Sequence, residues 1–259
     1  MQFHVMKAGA ARKRTACAIV GIHENAAMSE SARRLDRASG GAISRVLKRG
    51  DFAGRSMETF PITGLRRGPA ERILLVGLGT KSGFGRKPYR RAVYAATQWL
   101  GKTGAPNAVS WLAADGVPGL DAYYAVRHAV ESVNNALYRI PDLKTAKKPP
   151  LPKLSRFGIA VADADEALAE RGVRDGRGIS AGMALMKDLA NLPANVCTPS
   201  YLADAAKALA REHKSISAKV LTRREIKALG MGSFLSVTRG SDLTPYTLDD
   251  DAKISWRTP

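Results

Sequence analysis

Apolar residues in the first 165 positions follow two alternating patterns. Short, nearly unbroken apolar runs stand at residues 15–22, 72–78 and 157–161, and between them apolar positions recur every three or four residues. Short runs bounded by turn-forming residues predict strands, and the longer spacing predicts helices. The stretches 57–62 and 108–113 complete the set of predicted strands. The run Ile73-Leu-Leu-Val76 has no polar alternation, which predicts burial on both faces of a sheet. Helical spacing covers 29–49, through Leu35, Ala38, Ala42, Val46 and Leu47, although Gly40-Gly41 interrupts it. Each such glycine costs a helix ~1 kcal/mol relative to alanine. Further helices are predicted over 88–101, opened by Pro88, and over 121–139, with Ala125, Val126, Ala129, Val133 and Leu137 along one side. Strands alternating with helices predict an α/β unit built on a mainly parallel sheet covered on both faces.

The pattern changes after residue 165. Residues 164–192 hold no proline and many good helix formers, which predicts one long helix closed by Pro193. Thr198 is placed to cap the next helix, with Pro199 at its first position, and that helix is predicted to reach about His213. A short strand at 218–221 and a short helix at 223–229, ended by Gly230, follow. The expected division is a first domain at 1–165, a linking helix at 166–192 and the truncated start of a second domain at 193–259. Lys144-Thr-Ala-Lys-Lys-Pro-Pro-Leu-Pro-Lys153 predicts an extended loop.

Composition narrows the class. The chain has 259 residues, 45% of them hydrophobic, as expected of an ordinary globular protein, and no apolar stretch long enough to cross a membrane. Cys17 and Cys197 give neither a disulfide framework nor a cysteine metal cluster, which points to a reducing, cytoplasmic setting. The net charge of +18 is uneven: residues 1–165 hold 27 Lys/Arg against 12 Asp/Glu, and residues 166–259 hold 14 against 11. A basic first domain could attract DNA or another polyanion, but a solvated basic surface explains the same numbers.

Few motifs in the chain point to chemistry. Val76-Gly-Leu-Gly-Thr-Lys-Ser-Gly-Phe-Gly85 follows a strand and precedes a helix, but Ser82 stands where a dinucleotide loop needs its third glycine, and no Gly-Lys-Ser/Thr is present. A glycine turn at the end of a strand is the better reading. His4, His23, His128 and His213 share no metal-ligand spacing, and Cys197 has no flanking signature of a catalytic thiol. Asp249, Asp250 and Asp251 read as a solvated acidic run. The basic pairs Arg33-Arg34, Arg66-Arg67, Arg90-Arg91 and Lys147-Lys148 could contact phosphates, while Tyr123, Tyr124, Trp99 and Trp111 sit where core packing would use them.

Several segments together resemble the leucine (cytosol) aminopeptidase family. In the first domain these are Leu35-Asp-Arg-Ala-Ser-Gly-Gly-Ala-Ile43, Leu47-Lys-Arg-Gly-Asp-Phe52 and Arg72-Ile-Leu-Leu-Val-Gly-Leu-Gly79. The more specific group is Asp188-Leu-Ala-Asn-Leu-Pro-Ala-Asn-Val-Cys-Thr-Pro-Ser-Tyr-Leu202, Leu229-Gly-Met-Gly232 and Arg239-Gly-Ser-Asp242. The resemblance implies a macro-domain-like N-terminal domain, a long linking helix and an α/β peptidase domain, incomplete here. It also implies a homo-hexamer, peptide substrates and two divalent metals, manganese or zinc, that polarise the scissile carbonyl and supply a hydroxide. The family's metal-ligand segments, a Lys…Asp stretch and an Asn-Thr-Asp-Ala-Glu-Gly-Arg motif, do not occur in these residues, so no catalytic, cofactor or metal position is assigned. The expectation is the N-terminal portion of a leucyl aminopeptidase, inactive by itself and without a cofactor of its own. The alternative is a basic DNA- or polyanion-binding module. Residues 246–259 are expected to be poorly ordered, and 1–165 to be the more stable part.

Overall fold

The computed structural model describes residues 1–8, 14–65, 67–140, 150–162, 165–236 and, as backbone, 253–256. It divides into two compact units, residues 1–139 with 146–184 and residues 185–259 with 140–145.

The first unit is built on a sheet whose strands are β1 (Gln2–Lys7), β2 (Ala18–His23), β3 (Ala27–Met28), β4 (Thr59–Ile62), β5 (Ile73–Gly77), β6 (Asn107–Ser110) and β7 (Arg156–Val161). Their order across the sheet is β1-β7-β6-β2-β5-β4, with β3 folded back on β2. The pairs β1·β7, β7·β6, β6·β2 and β2·β5 are parallel, whereas β4 and β3 run antiparallel to their neighbours. The mainly parallel sheet is therefore as the alternating pattern predicts. All five residues of β5 are buried because helices cover both faces. Its Leu74 and Val76 join Ile19, Phe157 and Ile159 in one core, while Ile73 and Leu75 join Ala18, Val20 and Ile22 in the other.

Helices α1 (Glu30–Ala38) and α2 (Ala42–Arg49) cover one face, through Ala32, Leu35, Ile43 and Val46. Helices α3 (Arg86–Leu100) and α4 (Ala122–Leu137) cover the other, through Tyr89, Val93, Leu100, Val126 and Val133. The single helix expected over 29–49 is corrected to two. Gly40 (φ +68°) and Gly41 (φ +77°) take left-handed conformations that end one helix and admit the next at a new angle. Strand β1 escaped the sequence reading, because its exposed and half-buried positions at the sheet edge carry only a weak apolar signal.

The predicted long helix is present as α5 (Glu166–Asn191). Its first part belongs to the first unit, where Gly172 lets the helix come so close that a Cβ would stand 2.6 Å from the Tyr123 carbonyl oxygen. Gly176 meets Val130 in the same way one turn later, and Tyr123 donates its hydroxyl to Asp175 at 2.9 Å. Gly172 and Gly176, unfavourable for a helix in isolation, are thus explained by close packing against α4, whereas an added Cβ at Gly178 or Gly182 would meet nothing within 4 Å.

The second unit contains the end of α5, α6 (Pro199–Glu212), β8 (Ile216–Lys219), α7 (Arg223–Ala228), α8 (Gly232–Ser236) and β9 (Lys253–Trp256). Thr198 caps α6 by accepting from Tyr201 N, with Pro199 at the first turn as predicted. Thr222 and Glu225 form a capping box on α7, and hydrogen bonds from the Thr222 backbone and hydroxyl hold the Glu225 carboxyl below the usual carboxylate range. Buried apolar side chains here are Ala203, Leu221 and Ile226, whereas Met186, Tyr201, Leu202 and Leu229 stay exposed. Most of 246–259 lies outside the described residues, but Lys253–Trp256 pairs antiparallel with β8. The 144–149 part of the expected loop, Arg66, Lys147, Lys148 and Asp249–Asp251 also lie outside them.

Candidate functional site

The segment that carries the family resemblance, 188–202, holds the end of α5, the start of α6 and the half-buried to exposed turn that joins them. Val196 N and Cys197 N both donate to the Pro193 carbonyl at 2.9 Å, forming a compact turn that delivers Thr198 to its capping position. Cys197 is half-buried at the start of α6. Cys17, in contrast, is fully buried, and desolvation pushes its thiol up to about 12, so it is held as an inert thiol in the core.

The four histidines are dispersed. His4 is exposed on edge strand β1, His213 closes α6, His23 ends β2, and His128 is buried on α4. His128 Nδ1 lies 3.2 Å from Glu131, whose other oxygen is 3.1 Å from Arg127. Burial lowers the His128 pKa, against the attraction of Glu131. Among the described residues, no group of three or more His, Cys, Asp or Glu side chains could hold a metal ion. The donor set of a two-metal centre is therefore not formed by them.

Two surface features of the first unit have the form of binding sites. One is a groove of about 390 Å³ between α3 and α4, lined by Arg86, Lys87, Arg90, Arg91, Tyr94 and Ser132, among others. Arg90 lies 3.9 Å from the buried Glu131, and the other three cations form no ion pair among the described residues. Of the basic pairs in the sequence, Arg90-Arg91 lines this groove. Arg33-Arg34 instead gathers around Glu30 at 3.1 and 3.3 Å, which lowers the Glu30 pKa, the Arg33 hydrogen bond most of all. Trp111 is buried and Trp99 half-buried, as core packing requires, but Tyr124 is 44% exposed, with the Arg127 guanidinium over its ring.

The second feature is a cleft of about 570 Å³ above the carboxyl ends of β2, β5 and β6. These ends form a topological switch point: β2 leads to α1 on one face, β6 leads to α4 on the other, and ligands of open α/β sheets bind in the crevice between such connections. Leu78, Leu112, Val117 and Leu120 supply apolar lining, with Lys81, Asp115, Glu30 and Arg33 as its charged groups. His23 Nδ1 lies 3.3 Å from the Gly79 carbonyl oxygen, which can only accept, so this nitrogen carries the proton. The His23 ring stands edge-on to Phe84 at 5.2 Å. The glycine loop contributes Leu78, Lys81 and Phe84 to this cleft. Two of its amides are engaged internally, Gly83 N with Thr80 Oγ1 and Phe84 N with the Lys81 carbonyl, both at 3.3 Å, which closes the loop as a turn. Of the motifs in the sequence only the glycine loop touches the cleft, and it does not announce it, since the walls come from three loops far apart along the chain.

The profile of the cytosol aminopeptidase family, N-terminal domain, matches residues 19–147, and that of the same family's catalytic domain matches 184–251. A probable cytosol aminopeptidase of Alkalilimnicola ehrlichii is 41% identical over 230 residues, 88% of this chain and 46% of the relative. The cytosol aminopeptidase of Pseudomonas aeruginosa is 39% identical over 245 residues, 95% of this chain and 49% of the relative. The chain thus spans about half the length of the curated relatives it matches. Among solved structures, a substituted tomato leucine aminopeptidase superposes with a TM-score of 0.77 at 24% identity, over 95% of this chain and 49% of that one, a likeness of fold. The bottromycin maturation enzyme BotP superposes with a TM-score of 0.64 at 25% identity, over 88% and 44% of the two chains.

Proposed function

The chain belongs to the cytosol aminopeptidase family, and from that premise we propose that it is the N-terminal portion of a metal-dependent leucyl aminopeptidase. In this reading residues 1–165 form a macro-domain-like domain, 166–192 a linking helix and 193–259 the opening of the peptidase domain. The observation that carries it is the match of both family domains, in order, along one chain. The parent activity removes N-terminal residues from peptides in the cytoplasm, with two divalent metals and as a homo-hexamer. The 259 residues by themselves do not perform it, because neither metal-ligand motif is among them. Purified chain incubated with leucine p-nitroanilide and manganese or zinc should show no chelator-sensitive hydrolysis. Chelator-sensitive turnover would overturn the assignment of inactivity.

A second reading, that the first unit binds a polyanion such as duplex DNA, is favoured by the α3 groove, with Arg86, Lys87, Arg90 and Arg91 along one wall. Neutralising four phosphates would weaken binding roughly 100-fold between 50 and 200 mM salt. Failure to retard duplex DNA at low salt would remove this reading.

A further inference from the structure

The cleft above β2, β5 and β6 has a lining whose chemistry selects a class of ligand. Its volume, about 570 Å³, is in the range of small-molecule sites, ~300–1,000 Å³. The loop after β2 that forms part of its rim holds Asn25 (φ +62°) and Ala26 (φ +57°) successively in the left-handed region. For alanine this is a strained conformation, of a kind that clusters at ligand clamps and switches.

The polar groups decide what such a ligand carries. A phosphate would be gripped by free backbone amides, but four of those around the rim already have partners. Ser31 N at the start of α1 donates to both Asp115 oxygens at 3.1 and 3.0 Å, and Ala32 N donates to Ser29 Oγ. Gly83 N and Phe84 N are satisfied within their own turn. The carboxylates of Glu30 and Asp115 would moreover repel a dianion. The lining charges balance, Lys81 and Arg33 against Glu30 and Asp115. Arg33 is taken up by Glu30 and the Met28 carbonyl. Lys81 has no ion-pair partner among the described residues, and Asp115 is exposed. The Asp115 carboxylate offers about four acceptor positions. Three bonds, from Ser31 N and Oγ, leave room for one more donor. Lys81 and Asp115 follow β5 and β6, the two neighbours of β2, strands that lie roughly 10 Å apart. A lysine side chain and a short zwitterion can bridge that gap. Leu78, Leu112, Val117 and Leu120 line the same cleft.

We propose that this cleft is an effector site for a free apolar α-amino acid, its carboxylate on Lys81, its ammonium on Asp115 and its side chain on the leucine–valine floor. Binding follows from the cleft alone. Its regulatory meaning rests on the aminopeptidase reading, in which such an amino acid is the product released.

The test is calorimetric titration of the 259-residue chain, in chelator, with L-leucine and L-phenylalanine. Comparators are 3-methylbutylamine, 4-methylpentanoate, glycine and adenosine monophosphate. One site per chain is expected, with leucine or phenylalanine bound about tenfold or more tightly than any comparator, as loss of one charge-assisted hydrogen bond, or for glycine of the apolar side chain, requires. Because Lys81 is exposed, Lys81→Glu and Lys81→Met should fold as the parent by circular dichroism and lose about tenfold or more in affinity. Lys81→Arg should retain binding. The proposal is overturned if neither amino acid binds at millimolar concentration, if adenosine monophosphate binds more tightly, or if both charge-removing variants leave affinity unchanged. These outcomes are read without peptidase activity, so failure here leaves the aminopeptidase reading standing, and chelator-sensitive turnover, which would overturn the assignment of inactivity, leaves the site standing.

Discussion

Replacing Asp36 with alanine should cost the first unit more stability than any surface ion pair could. Helix α2 starts at Gly41, which has no side chain to cap it. The cap comes from Asp36 on α1, only 8% exposed, whose Oδ1 accepts from Ile43 N at 2.8 Å and Ser44 N at 2.9 Å while Oδ2 accepts from the Ser44 hydroxyl. Alanine would strand two amides and a hydroxyl where water has little access. Each orphaned buried donor costs ~1–3 kcal/mol, and the half-buried Ser44 can recover part of its share, so the loss is about 3–5 kcal/mol. Against a total of ~5–15 kcal/mol that is a large fraction. With ~2–4 °C per kcal/mol for a unit of this size, the melting temperature should fall by roughly 6–20 °C. Asparagine keeps the shape and the Oδ1 acceptor, so Asp36→Asn should cost less than half as much. Urea unfolding, followed by circular dichroism and by fluorescence of Trp99 and Trp111, would measure both variants. A loss below about 1 kcal/mol for alanine, or equal losses for the two variants, would refute the assignment of Asp36 as the cap of α2.

Two further perturbations test the packing. Burial disfavours the imidazolium of His128 more than Glu131 favours it, with Arg90 and Arg127 adding repulsion, so the folded pKa is lowered. The unfolded chain then binds more protons below about pH 6.5, and stability should fall as the pH drops from 7 to 5. His128→Gln should flatten that fall in urea midpoints, and an unchanged slope would contradict the reasoning. At Gly77 an added Cβ would land on the Arg55 carbonyl oxygen, so Gly77→Ala should destabilise by ~1–3 kcal/mol or more. Gly104→Ala, in open space, is the near-neutral control in the same melting experiment.

Strand β5 and helix α6 show what could be read locally. Ile73–Val76 announces a strand buried on both faces, and Thr198-Pro199 announces a helix start, because each signal is carried by neighbouring residues acting through short-range sterics and hydrogen bonds. Edge strand β1 was not legible, since its pairing with β7 joins residues at opposite ends of the unit. The break between α1 and α2 was only half legible. Gly40 and Gly41 weaken a helix in any context, but the new helix direction depends on Asp36 reaching Ile43 and Ser44.

The division of labour between sequence and tertiary structure follows from range. By itself the sequence determined the family resemblance, the alternation of strands and helices, the basic first part and the lack of the metal-ligand motifs. Tertiary structure decided which face each helix covers, why α5 carries Gly172 and Gly176, and that Lys81 and Asp115 line one cleft. No local pattern could announce that cleft, because its walls are loops brought together only when β2, β5 and β6 align in one parallel sheet.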